Sequence, residues 1–221
     1  MAEFSVMTFN CNGLGEKCKR QKVFTYIKDK LQKGFCFLQE THSTEASEKF
    51  WKAQWGGELF FSHGQSNSTG CAIGVSKDFP FKIIKQSKDT NGRFLILEVE
   101  IDDDKYLLIN LYNANTETDQ LRVLDQLLSK LDEHDEDGLC RPIFGGDLNL
   151  IFDTVLDSSG GNPTLKKRSL AMLMKILDKL DAHDIFRIRY PTLKRFTFCR
   201  KRPAIQPSGL YFHCQLHSGI R

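Results

Sequence analysis

The sequence predicts an α/β protein in which two packed mixed sheets are flanked by helices. Three observations point there. Phe35-Cys36-Phe37-Leu38-Gln39 is apolar without alternation, as a strand covered on both faces would be. Leu59 to Ser62 and Cys71 to Val75 are short apolar runs at hairpin spacing. Helix-period segments separate other strand-like runs, which suits two sheets with helices outside them.

The elements follow in order. Phe4 to Phe9 is short, apolar and β-rich, and it ends in the turn signal Asn10-Cys11-Asn12-Gly13-Leu14-Gly15. Lys17 to Lys33 places Val23, Phe24, Ile27 and Leu31 on one helical face, and Gly34 stops it. The buried strand at 35–39 terminates in Glu40-Thr41-His42. Phe50 to Gln54, with Trp51, suits a short helix covering the core. His63 to Gly70 is the loop of the hairpin. Phe94 to Ile101 alternates, Leu95, Leu97, Val99 and Ile101 against Glu98 and Glu100, which predicts a half-exposed strand. Asp102-Asp103-Asp104 is a turn without calcium-loop spacing. Lys105 to Tyr112 returns as a strand and exits through Asn113-Ala114-Asn115. Thr118 to Asp132 is an amphipathic helix with Leu121, Leu124, Leu127, Leu128 and Leu131 inward.

Pro142 to Asn149 reads as a buried strand that delivers Asp147 and Asn149 to one side, two residues apart, with Leu148 in the core. Gly145 and Gly146 allow close backbone approach there. Ser158 to Pro163 is a loop. Leu165 to Ala182 is a helix with Leu170, Leu173, Met174, Leu177 and Leu180 inward. Arg187 to Lys194 is basic and irregular, and Phe196 to Arg200 is a last strand.

One domain over residues 1–221 accounts for the length. With 40% hydrophobic and 27% charged residues the composition is that of an ordinary globular protein. No apolar run approaches the ~20 residues of a membrane span. Met1-Ala2-Glu3 leads directly into a strand, which is no secretory signal. The seven cysteines lack metal-site spacing, so reduced thiols in an intracellular compartment, nuclear or cytoplasmic, are expected. No oligomer is evident. From Lys166 to Arg221 there are thirteen Lys/Arg and three Asp/Glu, leaving the rest of this +3 chain at −7. Such a basic quarter, Lys166 to Arg202 above all, suits a polyanionic partner.

Three strands thus end in Asn10, Glu40 and Asp147. Polar residues at converging strand ends commonly build sites, and this set suits a hard cation. Read alone, Tyr112 is equally a strand-end aromatic, His42 a surface or capping histidine, and Thr197 a plain strand residue.

Asn10-x-Asn12-Gly13-Leu14, Gln39-Glu40-Thr41-His42, Asn110-Leu111-Tyr112-Asn113-Ala114-Asn115, Gly146-Asp147-Leu148-Asn149 and Phe196-Thr197-Phe198 occur in that order. Together they resemble the endonuclease/exonuclease/phosphatase superfamily, and within it the endonuclease domain of LINE-type non-LTR retrotransposons. The resemblance implies a four-layered α/β-sandwich and a phosphodiesterase that nicks DNA and depends on Mg²⁺, with Mn²⁺ as the alternative metal. It implies that Glu40, assisted by Asn10, holds the metal. Asp147 would activate water, Asn149 would hold the phosphate, and Tyr112 would offer its phenol to a phosphate oxygen. His42, Asn115, Thr197, Arg200, Lys201 and Arg202 would contact DNA.

The chain departs from the family pattern near its end. The motif usually written Ser-Arg-Ile/Leu-Asp-Tyr-Phe reads Ser208-Gly209-Leu210-Tyr211-Phe212, without its Asp. Cys214 to Arg221 resembles the segment preceding a final Ser-Asp-His, yet only His213 separates the two motifs. An internal deletion and a C-terminal truncation are the expectation, with impaired activity and a weakened core at that edge. Alternatives are a catalytically inactive nucleic-acid-binding remnant and a phosphatase or sphingomyelinase of the same superfamily.

Overall fold

The computed structural model describes residues 3–65, 68–134, 136, 138–157 and 165–194. Its elements are β1 (Ser5–Asn10), α1 (Lys17–Leu31), β2 (Gly34–Gln39), a 3₁₀ turn (Glu45–Ser47), α2 (Glu48–Trp55), β3 (Leu59–Ser62) and β4 (Cys71–Val75). They continue with β5 (Lys82–Lys88), β6 (Phe94–Ile101), β7 (Asp104–Tyr112), α3 (Glu117–Leu131), β8 (Arg141–Asp147), α4 (Lys167–Lys179) and α5 (Ile185–Arg189).

Two four-stranded sheets result, in the orders β1-β2-β4-β3 and β5-β6-β7-β8. Both are mixed. The β1–β2 and β7–β8 pairs are parallel, while β2–β4, β3–β4, β5–β6 and β6–β7 are antiparallel. Three apolar clusters separate four layers. Phe35, Phe37 and Ile73 of the first sheet meet Leu95, Leu97 and Leu108 of the second. Cys36 and Leu38 face the other way, against Phe24 and Ile27 of α1 and Trp51 and Trp55 of α2. Ile96, Ile109 and Leu111 carry α3 and α4 through Leu124, Leu127, Leu173 and Ile176. The chain is therefore an α/β-sandwich of two packed mixed sheets flanked by helices. Each central strand is apolar on both faces because each face has a layer to cover.

Several expectations are corrected. β6 is buried on both faces rather than half-exposed, because α3 and α4 cover the face that carries Phe94, Ile96 and Glu98. β5 (Lys82–Lys88) was not predicted; its residues alternate between exposed and half-buried, and lysines at 82, 85 and 88 blunt the sheet edge. The β8 strand stops at Asp147 and is only half-buried, because among the described residues it pairs with β7 alone. α4 is rotated from the expected face. Ser169, Leu173 and Ile176 are buried, and Met174 is exposed. Glu117 causes this register: its carboxylate accepts from the amides of Arg168 and Ser169, so α3 caps α4. A short helix, α5, replaces part of the irregular stretch expected from Arg187. The loop at Ser158 to Pro163, the strand at Phe196 to Arg200 and the motifs from Ser208 onward lie outside the described residues.

Glu98 is tolerated inside because His134 meets it at 3.2 Å, and Ser87 takes the other ring nitrogen at 2.9 Å. Burial depresses the His134 pKa below its ordinary 6.5, although Glu98 pulls it upward. In the window below 6.5 the unfolded chain then binds more protons than the folded one, so stability falls as pH falls. The melting temperature is expected to decline from pH 7 to pH 5 and His134→Gln to flatten that decline. An equal slope in both proteins would refute the assignment.

Candidate active site

The four strand ends β1, β2, β7 and β8 converge at one edge of the sandwich. In the first sheet Asn10 is the register partner of Gln39, so Glu40 follows one residue beyond. In the second, Tyr112 is the register partner of Asp147. The Asn10 amide joins the two sheets. Its Nδ2 donates to Glu40 Oε1 at 2.9 Å and to Asp147 Oδ2 at 2.8 Å, across 137 residues of sequence. The Asn12 backbone N–H donates to Asn10 Oδ1 at 3.0 Å, which orients the amide. Beyond burial, the Glu40 carboxylate also acts on Tyr112, raising its pKa.

The loops are held rung by rung. Cys11, Gly13 and Leu14 donate their backbone N–H groups to Gln39, Glu40 and Thr41, which extends the β1–β2 ladder past the strands. Glu40 and His42 are left-handed, with φ of 50° and 55°, as are Asn12 at 47° and Asn149 at 48°. Such backbone is uncommon outside glycine, and it turns the Glu40 side chain back toward Asn10. Asn149 lies past the end of β8, so its nearness to Asp147 comes from a turn rather than from strand alternation. Its backbone N–H donates to Asp147 Oδ1 at 3.2 Å and its Nδ2 to Asn113 O at 2.9 Å. Leu148 is partly buried against the α3–α4 cluster.

Burial raises the Asp147 pKa, outweighing the bonds from Asn10 and Asn149, and the Glu40 charge adds to the rise. Burial and then Glu40 push Tyr112 above its ordinary value, so its phenol stays protonated at neutral pH. Among the described residues there is no group of three His, Cys, Asp or Glu around one point. What the site offers is two carboxylates and amide oxygens. An octahedral cation that keeps most of its waters is commonly held by one or two carboxylates, so the donor set fits Mg²⁺ or Mn²⁺.

His42 is half-buried and rests against Gly13, and Asn115 is exposed at the start of the loop after β7. Thr197, Arg200, Lys201 and Arg202 lie outside the described residues. Several site neighbours were missed in the sequence. The Arg93 guanidinium stacks 4.8 Å from the Tyr112 ring centre, and its Nη1 is buried without a hydrogen bond. Lys166 reaches Asn149 O at 3.0 Å, as does the buried Gln120, which also holds Ala114 O. Beneath the site Gln39 Nε2 donates to Asn110 Oδ1 at 2.7 Å and to Thr8 Oγ1 at 3.0 Å, a fully buried bridge between the sheets. Gln39 and Asn110 were legible as polar residues inside apolar strands, the signal of a buried network. Arg93 carried no such signal, and Lys166 was legible only as the start of the basic quarter.

The profile of the Endonuclease/Exonuclease/phosphatase family matches residues 7–191, which include Asn10, Glu40, Tyr112, Asp147 and Asn149. The Transposon TX1 uncharacterized 149 kDa protein of Xenopus laevis is 29% identical over 201 residues, 90% of this chain, and the chain spans only 15% of that protein's length. A truncated TDP2 from Caenorhabditis elegans is 25% identical with a TM-score of 0.50, covering 67% of this chain and 63% of that one. An AP endonuclease from Archaeoglobus fulgidus has a TM-score of 0.70 at 19% identity, covering 91% of this chain and 80% of that one, a likeness of fold. The family profile spans most of the chain and its site residues, and the chain belongs to the Endonuclease/Exonuclease/phosphatase family.

Proposed function

We propose that this chain is a divalent-metal-dependent phosphodiesterase that nicks DNA, an endonuclease of the kind carried by LINE-type retrotransposons. The observation that carries the reading is the Asn10 amide bonded at once to Glu40 and Asp147, one carboxylate from each sheet. Two like charges so placed call for a positive partner between them. Glu40 and Asn10 would hold Mg²⁺ or Mn²⁺, which would stabilise charge on the scissile phosphate and leaving oxygen.

The chain's own groups divide the remaining work. Asp147, its carboxyl raised by burial, takes the proton from the attacking water. Tyr112 donates its O–H to a phosphate oxygen, since its phenol remains protonated. Asn149 has one N–H committed to Asn113 O and offers the other to the phosphate. Arg93 and Lys166 add positive charge behind Tyr112 and Asn149. His42 and Asn115 would contact the DNA backbone, and the resemblance gives Thr197, Arg200, Lys201 and Arg202 the same role. The transposon-derived relative supports the retrotransposon reading. The Ser208–Phe212 motif lacks the Asp usual in the family, which predicts weak turnover.

The test is nicking of supercoiled plasmid. Nicked circles are expected with Mg²⁺ and are expected to vanish with chelator and in Glu40→Ala. Nicking untouched by Glu40→Ala would overturn this site. DNA binding without any nicking would identify an inactive remnant instead, and faster hydrolysis of a lipid or inositol phosphate would reassign the substrate.

A further inference from the structure

We propose that the cleft between α1 and α2 binds one nucleotide of the DNA strand, its base against Phe50 and its phosphate on Lys17 and Arg20. This subsite rests on the nuclease reading and adds a strand-gripping element outside the catalytic residues.

The cleft measures about 720 Å³ and is lined by Gly15, Lys17, Arg20, His42, Phe50 and Trp51 among others, with no carboxylate among its lining residues. That is within the usual size of a small-ligand site, roughly 300–1,000 Å³. Its charge is uncompensated. Arg20 is only 6% exposed, yet its guanidinium meets neutral groups alone: Leu14 O at 2.8 Å, Gly15 O at 3.1 Å, the Gln54 side-chain oxygen, and the Trp51 ring at 5.0 Å. A buried cation without an anion is costly, and a phosphate would offset that cost. Lys17 stands exposed at the mouth of the cleft. Lys19, also on α1, donates to Asn12 O in the loop that leads into the helix.

The aromatic part of the cleft points the same way. Trp51 and Trp55 of α2 are buried in the helix layer, whereas Phe50 is 67% exposed at the cleft. A solvent-facing ring beside cations is the combination that stacks a nucleobase. The cleft is also continuous with the catalytic loops. His42 lies two residues beyond Glu40, and its ring packs on Gly13, where an added Cβ would come within 2.7 Å of Nδ1. Arg20 holds the carbonyls of Leu14 and Gly15, at the end of the loop that begins at Asn10. A strand lying across Asn10 and Glu40 therefore passes the cleft mouth, and a peptide or membrane partner has no such path.

The probe is a short single-stranded DNA carrying a fluorescent base analogue, titrated into the full chain with chelator present so that nothing is cut. Quenching on binding is expected. Phe50→Ala is expected to weaken affinity roughly tenfold, the scale of one lost base–aromatic stack, and to abolish the quenching. Lys17→Glu is expected to weaken binding and to lower the salt slope by about one. Both side chains are exposed, so the melting temperature serves as the folding control. Unchanged affinity in both variants overturns the subsite. If plasmid is nicked normally by both, the nuclease reading stands and the cleft falls. If quenching depends on Phe50 but no nicking occurs, the cleft stands as a strand-binding site and the nuclease reading falls.

Discussion

Asp147→Asn is expected to lower metal-dependent nicking by about 10² to 10⁴-fold, the usual cost of losing a general base, while leaving the chain folded and changing how its stability depends on pH. The stability half follows from linkage. Burial holds the Asp147 pKa above its ordinary 3.8, and the Glu40 charge contributes. The folded state then binds more protons than the unfolded one above that ordinary value, so stability is lost as pH rises through the folded pKa. At neutral pH the ionised carboxylate is a cost that the amide lacks, so the variant loses this decline toward high pH, while one of the two bonds from Asn10 and Asn149 is lost with the second acceptor. Mg²⁺ is expected to raise the melting temperature of the unaltered chain more than that of the variant, because binding to the folded state alone stabilises it. Calorimetry with and without metal, beside plasmid nicking, decides the matter. Equal metal-induced shifts, or nicking that persists, would remove Asp147 from the site.

Gly146→Ala is expected to be among the most damaging single-methyl changes at the described glycines. Gly146 has a φ of 138°, where an L side chain is strained, and it is the register partner of Leu111. A Cβ there would come within 1.9 Å of Leu111 O and 2.8 Å of Leu111 N. Both contacts are backbone inside a parallel ladder, so neither can yield without breaking β7 from β8. The expected loss is roughly 3–5 kcal/mol, from strain and overpacking together. It would appear as a lower urea midpoint with an unchanged slope. Nicking would also fall, although every catalytic group is retained, because Asp147 is the next residue and Tyr112 its register partner. A loss below about 1 kcal/mol would show that the strand end relaxes, against the rigid placement described above.

How much was legible in the sequence differs by element. The continuous apolar run at 35–39 announced a strand covered twice, and Phe35 and Phe37 indeed face one cluster while Cys36 and Leu38 face another. The alternation at 94–101 misled, since a glutamate normally marks a wet face. Glu98 is buried because His134, 36 residues away, meets it there. Periodicity records which side chains are apolar, not which distant group covers a polar one. On α4 the leucines were read correctly as an inward stripe but on a face rotated toward Met174, because the capping carboxylate of Glu117 lies on another helix.

Composition and local pattern by themselves determined the α/β class, most strand and helix positions, and the polar strand ends Asn10, Glu40 and Asp147. Each of these depends on burial and turn chemistry within a few residues of chain. Only the tertiary structure decided that the ends of two different sheets meet over a single amide, with Arg93 over Tyr112. The reason is that the alignment of one sheet on the other is set by interlocking side chains and the buried Gln39–Asn110 bond, between residues 71 apart. No local window of sequence contains both partners of such a contact.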